Sequence, residues 1–136
     1  MNNSYNNRSE DLNVDSFHND HQYELMEFNN DEYRRIYKSD ESIKHKHRIK
    51  FKLNNGYTLS CIAGDGTYSD LKSDYYFNGG ANIQDYLTWE IAVLDENNNF
   101  DRSMLRFFDD NIYDDVLASI RSSDINLFLE KYGIRK

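Results

Sequence analysis

The amino-acid sequence predicts an α+β fold, in which an antiparallel sheet of three or four strands carries helices on one face. Two patterns lead to this prediction. A run of alternating apolar and basic residues turns back at an Asn-Asn-Gly sequence, and apolar residues at helical spacing close the chain. A length of 136 residues is typical of one domain. The aromatic residues, 15% of the chain, can fill its core because each ring buries a large apolar surface.

The N-terminal region has few apolar residues. Residues 1–22 are rich in Asn, Ser, Asp and His, which predicts a disordered or loosely packed acidic arm ahead of a single α+β domain at 23–136. Within that domain, apolar and aromatic residues at rough helical spacing from Tyr23 to Lys38 predict a helix over about 29–39.

A β-hairpin is predicted over residues 45–63. Its first strand, HKHRIKFKL, alternates between two faces, and the Asn54-Asn55-Gly56 turn leads into a second strand, YTLSCIA. One face of the first strand carries His47, Ile49, Phe51 and Leu53. The other face is basic and carries Lys46, Arg48, Lys50 and Lys52.

The remaining strands and helices are predicted from the second half of the chain. YLTWEIAVLD at 86–95 is the strongest strand pattern, and a turn at 95–99 separates it from a fourth strand at about 100–107. Apolar residues at helical spacing over 112–120 predict a helix. The Ser122-Ser123-Asp124 sequence would cap another helix, which Gly133 ends. The apolar stripe of this last helix is Ile125, Phe128, Leu129 and Tyr132.

The charge distribution narrows the classes of partner. A net charge of −8 argues against general nucleic-acid binding, which relies on Lys and Arg to neutralise phosphates. Residues 44–53 are an exception to the acidic character of the chain, because they carry five basic and no acidic side chains. An acidic field favours basic partners, among them many nucleic-acid enzymes. The sequence shows no apolar run long enough to span a bilayer and no signal peptide, so we expect an intracellular protein without membrane contact.

The Gly64-Asp65-Gly66 run resembles a ligand loop at first sight. A phosphate loop needs successive backbone N–H groups and, as a rule, a Lys, followed directly by a helix. The residues that follow do not open a clear helix, so Asp-Gly turn chemistry is the favoured interpretation.

The candidate metal and nucleophile motifs are incomplete. A calcium loop beginning at Asp95 fails because Arg106 occupies the position of the required bidentate Glu. The four histidines and a single cysteine lack the converging thiolates of most zinc sites. Cys61 lies inside a predicted strand and is expected to be a buried thiol. We therefore predict no catalytic site, no metal and no cofactor.

Two charged groups leave alternatives open. The acidic pairs Asp109-Asp110 and Asp114-Asp115 fit the exposed start of a helix, where the helix dipole favours carboxylates, or a surface that imitates a nucleic-acid backbone. The basic strand face at 46–52 fits phosphate contacts or lysines that discourage edge pairing of an exposed strand.

Three segments resemble a family of small, uncharacterised phage-encoded proteins. They are NGYTLSCIAGDGTYS, WEIAVLD and DDVLASIRSSDINLFLEKYG, and the likeness covers residues 47–70, 86–95 and 114–133. The resemblance implies shared framework positions at Gly56, Tyr57, Gly64, Gly66, Thr67, Tyr68, Trp89 and Glu90. Two segments depart from the family pattern: an insertion at 69–85, rich in Tyr and Asp, and the acidic N-terminal extension.

Together the resemblance and the acidic field lead to our functional hypothesis. The chain would be a non-enzymatic inhibitor, encoded by a phage or mobile element and acting in the cytoplasm of the bacterial host. It would bind a basic nucleic-acid enzyme, with a CRISPR effector nuclease as the favoured target, and would be an anti-CRISPR protein. The expected partner-binding residues are Asp70, Asp74, Tyr75, Tyr76, Phe77, Asp85, Asp109, Asp110, Asp114 and Asp115. The alternative is an accessory module that binds nucleic acid or a small ligand through Lys46, Arg48, Lys50 and Lys52.

Overall fold

A computed structural model describes residues 10–27, 43–64, 66–73 and 82–136, with the side chains of 25–27 and 43–45 excepted. Six strands within these residues form one antiparallel sheet, so the predicted α+β class is confirmed with more strands than expected. They are β1 (Asn19–Glu27), β2 (Ile43–Lys52), β3 (Thr58–Gly64), β4 (Asp70–Leu71), β5 (Tyr86–Leu94) and β6 (Val116–Arg121). The described helices are two short 3₁₀ helices, Ile83–Asp85 and Met104–Phe107, and α1 (Ser122–Tyr132).

Strand β5 is the centre of the sheet. The strand order is β1-β2-β3-β5-β4, and β6 also pairs with β5. Ala92 of β5 faces Ser60 of β3 and Val116 of β6, so these two strands lie along opposite edges of β5. Thr88 likewise pairs with Asp70 and Arg121, which places β4 on the same edge as β3.

The hairpin formed by β2 and β3 agrees with its prediction. Antiparallel pairing brings Ile49 opposite Cys61 and Phe51 opposite Leu59. The turn between the strands requires a positive φ of 85° at Gly56, which glycine adopts at no steric cost. The face predicted to be apolar is buried in the core, His47 included.

The core lies between one face of the sheet and α1. Trp89 of β5 is fully buried beneath the helix, and its Nε1 donates a 3.1 Å hydrogen bond to Ser122 Oγ. The predicted helix stripe is confirmed, since Ile125, Phe128 and Leu129 are fully buried. The predicted Ser-Ser-Asp cap is wrong, because α1 begins at Ser122 and no side chain caps it. The Ser122 hydroxyl instead accepts the hydrogen bond from the Trp89 indole.

Gly133 ends α1, as predicted, at a position that has no room for a side chain. A Cβ atom there would lie 2.7 Å from the Leu129 carbonyl oxygen and 2.9 Å from Phe17 Cδ1. The backbone of Gly133 also bridges Leu53 at the end of the β2–β3 hairpin. Close approach of the helix end to two other segments therefore explains the glycine.

The expectation of a loosely packed arm differs from the structure at residues 10–22. Leu12 and Phe17 are buried in the core, and β1 begins at Asn19. Asn126 of α1 holds this segment: its Oδ1 accepts from the backbone N–H of Asn13, and its Nδ2 donates to the Asp11 carbonyl. Two apolar anchors thus suffice to dock a polar segment. Residues 1–9 and the whole of the helix predicted over about 29–39 lie outside the described residues, and residues 23–27 belong to β1.

Two predictions between β5 and α1 are wrong. Residues 100–107 do not form a strand: Phe100 makes an isolated bridge with Leu94, and the 3₁₀ helix Met104–Phe107 follows. The helix predicted over 112–120 is replaced by β6, which pairs with β5. A strand forms here because pairing with β5 partly buries Leu117 and Ile120 against the core. Ser119 adopts a positive φ of 54° where the register between the two strands shifts.

Candidate functional site

The corner after β3 is a closed turn, as predicted. Gly64 and Gly66 have φ values of 120° and 79°, in the left-handed region that favours glycine. The Gly64 carbonyl accepts hydrogen bonds from the Thr67 N–H and hydroxyl, and the Gly64 N–H donates to Ser69 Oγ. These backbone groups are used within the corner, which argues against a phosphate-binding loop. Asp65 lies outside the described residues.

The four aspartates at 109–115 form what we call the acidic loop. This loop joins the second 3₁₀ helix to β6, and Asp109, Asp110 and Asp114 are exposed. Asp109 accepts a hydrogen bond from the Asn111 N–H, and Asp115 forms an ion pair of 2.9 Å with Arg102. Because a strand and not a helix follows, the interpretation of these carboxylates as a helix start is wrong. Asp109, Asp110 and Asp114 carry their charge into solvent without a helix dipole to stabilise it.

Tyr113 lies between the two aspartate pairs and was missed in the sequence. Its side chain is 78% exposed, the most exposed of the large apolar residues that the structure describes. The neighbouring Ile112 is partly buried against the core and anchors the loop. The signal that could have identified Tyr113 is the sequence DDNIYDD, in which one aromatic side chain stands among four carboxylates next to an apolar anchor.

Three more carboxylates gather near the acidic loop. They belong to Asp101, Glu96 and Asp95, and their negative charge helps to raise the pKa of Tyr57 above its ordinary value. Asp101 is the largest cause of this rise, followed by burial of Tyr57 and then by Glu96 and Asp95. Arg102, next to Asp101, connects this group to Asp115. We call these three carboxylates and the acidic loop together the acidic end of the sheet.

The other predicted partner-binding residues do not join the acidic end. Asp70 accepts a 2.8 Å hydrogen bond from Thr88 Oγ1, and Asp85 accepts one of 2.9 Å from the Asn82 N–H. Both therefore have local structural roles at the start of β5. The acidic end lies beyond the other end of that strand, about 25 Å away at ~3.3 Å per strand residue. Asp74, Tyr75, Tyr76 and Phe77 lie outside the described residues.

The basic strand face lies on the side of β2 opposite the core, which we call the back face. The two strands that pair with β2 place β2 inside the sheet, so the idea that its lysines protect an exposed edge is wrong. On β1, Asp20 is the cross-strand partner of Lys50, and Glu24 is the partner of Lys46. Directly paired residues share a face, so these carboxylates offset the basic charge. The sequence did not reveal this because β1 was not predicted.

A shallow groove crosses the back face. Its volume is about 280 Å³, and Arg48 and Lys50 form its basic side. The remaining described residues of the groove are Ser60, Ile62, Glu90, Ile91, Ala92, Leu94, Phe100 and Val116. The groove thus combines two cations with an apolar floor. Among these described residues the one carboxylate is that of Glu90, which accepts a 3.3 Å hydrogen bond from the Tyr68 N–H.

The described residues show no arrangement typical of nucleophilic or metal catalysis. Cys61 is fully buried, and burial raises the pKa of its thiol, so the reactive thiolate is disfavoured. Within the described ranges, no group of three or more His, Cys, Asp or Glu side chains could hold a metal ion. None of the helices in the same part of the chain is long and apolar enough to cross a membrane.

Comparison of the chain with protein-family models, with curated proteins and with solved structures found no match. The surfaces of the molecule are therefore the structural basis for a functional proposal. Two surfaces qualify. The first is the acidic end with Tyr113, and the second is the groove on the back face.

Proposed function

We propose that this protein is a non-enzymatic inhibitor, encoded by a phage or another mobile element, that binds a basic nucleic-acid enzyme in the cytoplasm of a bacterial host. The favoured target is a CRISPR effector nuclease, which would make the protein an anti-CRISPR. The observation that carries the proposal is the acidic loop, where an exposed Tyr113 stands among four aspartates. The resemblance to phage-encoded proteins supports the same class.

The chemistry of the acidic loop suits such a target. Nucleic-acid enzymes bind phosphates through clustered Lys and Arg side chains, and a row of exposed carboxylates presents a similar pattern of negative charge. Complementary charge speeds association and orients the partners. A large exposed tyrosine adds an anchor, because tyrosines are enriched among the residues that dominate interface energies.

The test is whether the purified protein binds candidate CRISPR nucleases, measured as co-elution on gel filtration at low and at moderate salt. We expect co-elution, and we expect it to be lost in a variant that combines Asp110→Asn, Asp114→Asn and Tyr113→Ala. Asparagine keeps the shape of each side chain and removes its charge. The matched control is Lys50→Glu with Lys52→Glu, which changes the back face and should leave binding intact. Absence of co-elution at both salt concentrations refutes the proposal.

The groove supports a second candidate function, an accessory module that binds a small amphipathic anion. Arg48 and Lys50 would hold the anionic group, and the apolar floor would cover the rest of the ligand. Nucleic acid is the weaker candidate for this face because Asp20 and Glu24 lie across from its lysines. If this function is correct, Lys50→Glu with Lys52→Glu abolishes activity and the acidic-loop variant retains it.

A further inference from the structure

The groove on the back face follows one row of paired residues across four strands. The row consists of Lys50 on β2, Ser60 on β3, Ala92 on β5 and Val116 on β6. Its two middle residues, Ser60 and Ala92, have small side chains, whereas Ile62 and Leu94 in the rows on either side are larger. The small side chains leave a depression that runs across the strands. Three strand spacings of about 4.8 Å give it a length of ~14 Å.

The two ends of the groove differ in chemistry. At the β2 end, Arg48 and Lys50 supply two cations, and Arg48 faces the uncharged Gln22 of β1. The ion pairs found among the described residues include neither of these two cations. At the β6 end, Val116 and Phe100 are apolar, and their side chains are 37% and 55% exposed. The groove is therefore cationic at one end and apolar at the other.

We propose that this groove binds a medium-chain aliphatic carboxylate, with the carboxylate at Arg48 and Lys50 and the chain directed towards Val116. The planar guanidinium of Arg48 can donate to both carboxylate oxygens at once, and the Lys50 ammonium adds a further donor. An extended chain of about ten carbon atoms, with bonds of ~1.5 Å, is close to the groove in length. The inference rests on the second candidate function, to which it adds the class of ligand, and not on the inhibitor function.

The apolar end favours an aliphatic chain over a nucleobase. Its side chains, those of Ala92, Leu94, Phe100 and Val116, carry no polar atom. A nucleobase would gain no hydrogen bond from them, whereas every CH₂ group of an aliphatic chain gains by leaving water. The chain would also cover the exposed ring of Phe100.

Glu90 determines the direction in which the ligand lies. It lines the groove from β5, and Ile62 of β3 separates it from Arg48. Its negative charge would repel a carboxylate placed over β5, because like charges disfavour each other at short range. At the β2 end the carboxylate would lie about two strand spacings, ~10 Å, from the backbone of Glu90. The charges of the groove therefore select one orientation of an amphipathic anion.

The experiment is calorimetric titration of the full chain with hexanoate, octanoate and decanoate, each below the concentration at which it forms micelles. We expect one equivalent of decanoate to bind. Affinity should rise along the series by up to about fourfold per added CH₂, the gain for complete burial. Decyltrimethylammonium, which carries the same chain with a positive head group, should not bind.

Two variants test the cationic end. Arg48→Gln should weaken decanoate binding by about tenfold or more, since hydrogen bonds to charged groups are the strong ones. The matched control is Lys46→Gln, which removes a cation from the same face of β2 outside the groove lining and should change the affinity by less than about twofold. Equal effects of the two variants would overturn the proposal.

A measurement on the unaltered chain keeps the test independent of folding. Decanoate should shift the methyl NMR resonances of Ile62, Leu94 and Val116 and spare those of Leu127, which is exposed on α1. Absence of saturable decanoate binding, or affinity that does not depend on chain length, would refute the proposal. If AMP binds at Arg48 and decanoate does not, the class of ligand is wrong and the anion-binding function stands. If neither binds, both are wrong.

Discussion

The two ends of β5 differ in how tightly their side chains are held. Near its start, Trp89 is fully buried beneath α1, and its indole N–H donates to the buried Ser122 hydroxyl. Beyond its far end, the aspartates of the acidic loop make short local contacts, and Tyr113 extends into solvent. One strand therefore connects a packed scaffold to a surface with few constraints. Binding residues are often carried by such loops on a rigid support.

The difference has a consequence for mutations. Changes near the start of β5 should reduce stability, because packing and buried hydrogen bonds are concentrated there. Changes at the acidic end should alter binding and local electrostatics while the fold stays intact. This division separates mutations that destabilise the fold from mutations that change only the surface.

The largest effect is expected from Trp89→Ala. It removes a fully buried ring and its hydrogen bond to Ser122, and it leaves a cavity under α1. The free energy of unfolding should fall by about 3–5 kcal/mol, measured by urea denaturation. Tyr113→Ala is the matched control: it removes an aromatic ring that is 78% exposed and should change stability by no more than about 0.5 kcal/mol. Equal losses in the two variants would contradict the division.

Gly133→Ala should destabilise the protein by about 1–3 kcal/mol, the usual cost of overpacking. The added Cβ would meet the Leu129 carbonyl oxygen at 2.7 Å and the buried Phe17 ring at 2.9 Å, and backbone cannot move aside cheaply. Gly66→Ala provides the comparison, since its Cβ meets nothing within 4 Å but its φ is 79°. Its cost comes from backbone strain alone, about 1 kcal/mol. Thermal unfolding of both variants separates crowding from strain, and a smaller loss for Gly133→Ala than for Gly66→Ala would contradict this account.

The hairpin and the last helix could be predicted because local pattern and tertiary role agree there. Alternation at 45–53 gives β2 its two faces, and the stripe of α1 enters the core. The region between 112 and 121 could not be predicted by the same rules. Its apolar residues fit helical spacing, but pairing with β5 decides the outcome, and the sequence does not reveal which strand edge needs a partner. β1 escaped prediction for a related reason, since most of its exposed residues are polar and its register depends on β2.

Only part of the candidate site could be predicted, again because strand pairing decides where its residues lie. The aspartates at 109–115 were visible as charge and were expected to be exposed, but their place in a loop followed from the strand that replaced a helix. Tyr113 was missed because spacing arguments select residues that face a core, and its role depends on facing away from one. The carboxylates around Tyr57 come from the segment that follows β5, which only the folded sheet brings next to the start of β3.

A smaller effect is expected from breaking the ion pair between Arg102 and Asp115. The two side chains are about half exposed, so Asp115→Asn should lower stability by about 0.2–1 kcal/mol at low salt and by less at high salt. Asp114→Asn is the neighbouring control and should not show this dependence on salt. Urea denaturation at two salt concentrations measures both variants. A loss that persists at high salt would show that Asp115 acts through packing or hydrogen bonding and not through charge.

The smallest effect concerns the ionisation of Tyr57. Asp101 is the main cause of its raised pKa, so Asp101→Asn should lower the pKa of Tyr57 towards its ordinary value. Asparagine can still accept the hydrogen bond from the Ser103 N–H, so the loop should keep its shape. NMR titration of the Tyr57 ring measures the change, with Asp114→Asn as the control that leaves the pKa in place.

The same shift fixes the sign of a stability change at alkaline pH. A raised pKa means that the folded state holds the phenol proton more tightly than the unfolded state does. The resulting stabilisation is fully present below the unfolded pKa and is lost as pH rises through the folded pKa. Asp101→Asn should therefore make unfolding less sensitive to pH in that window. An unchanged Tyr57 pKa in this variant would show that the carboxylates of the acidic end are too far apart, or too well solvated, to act as one negative surface.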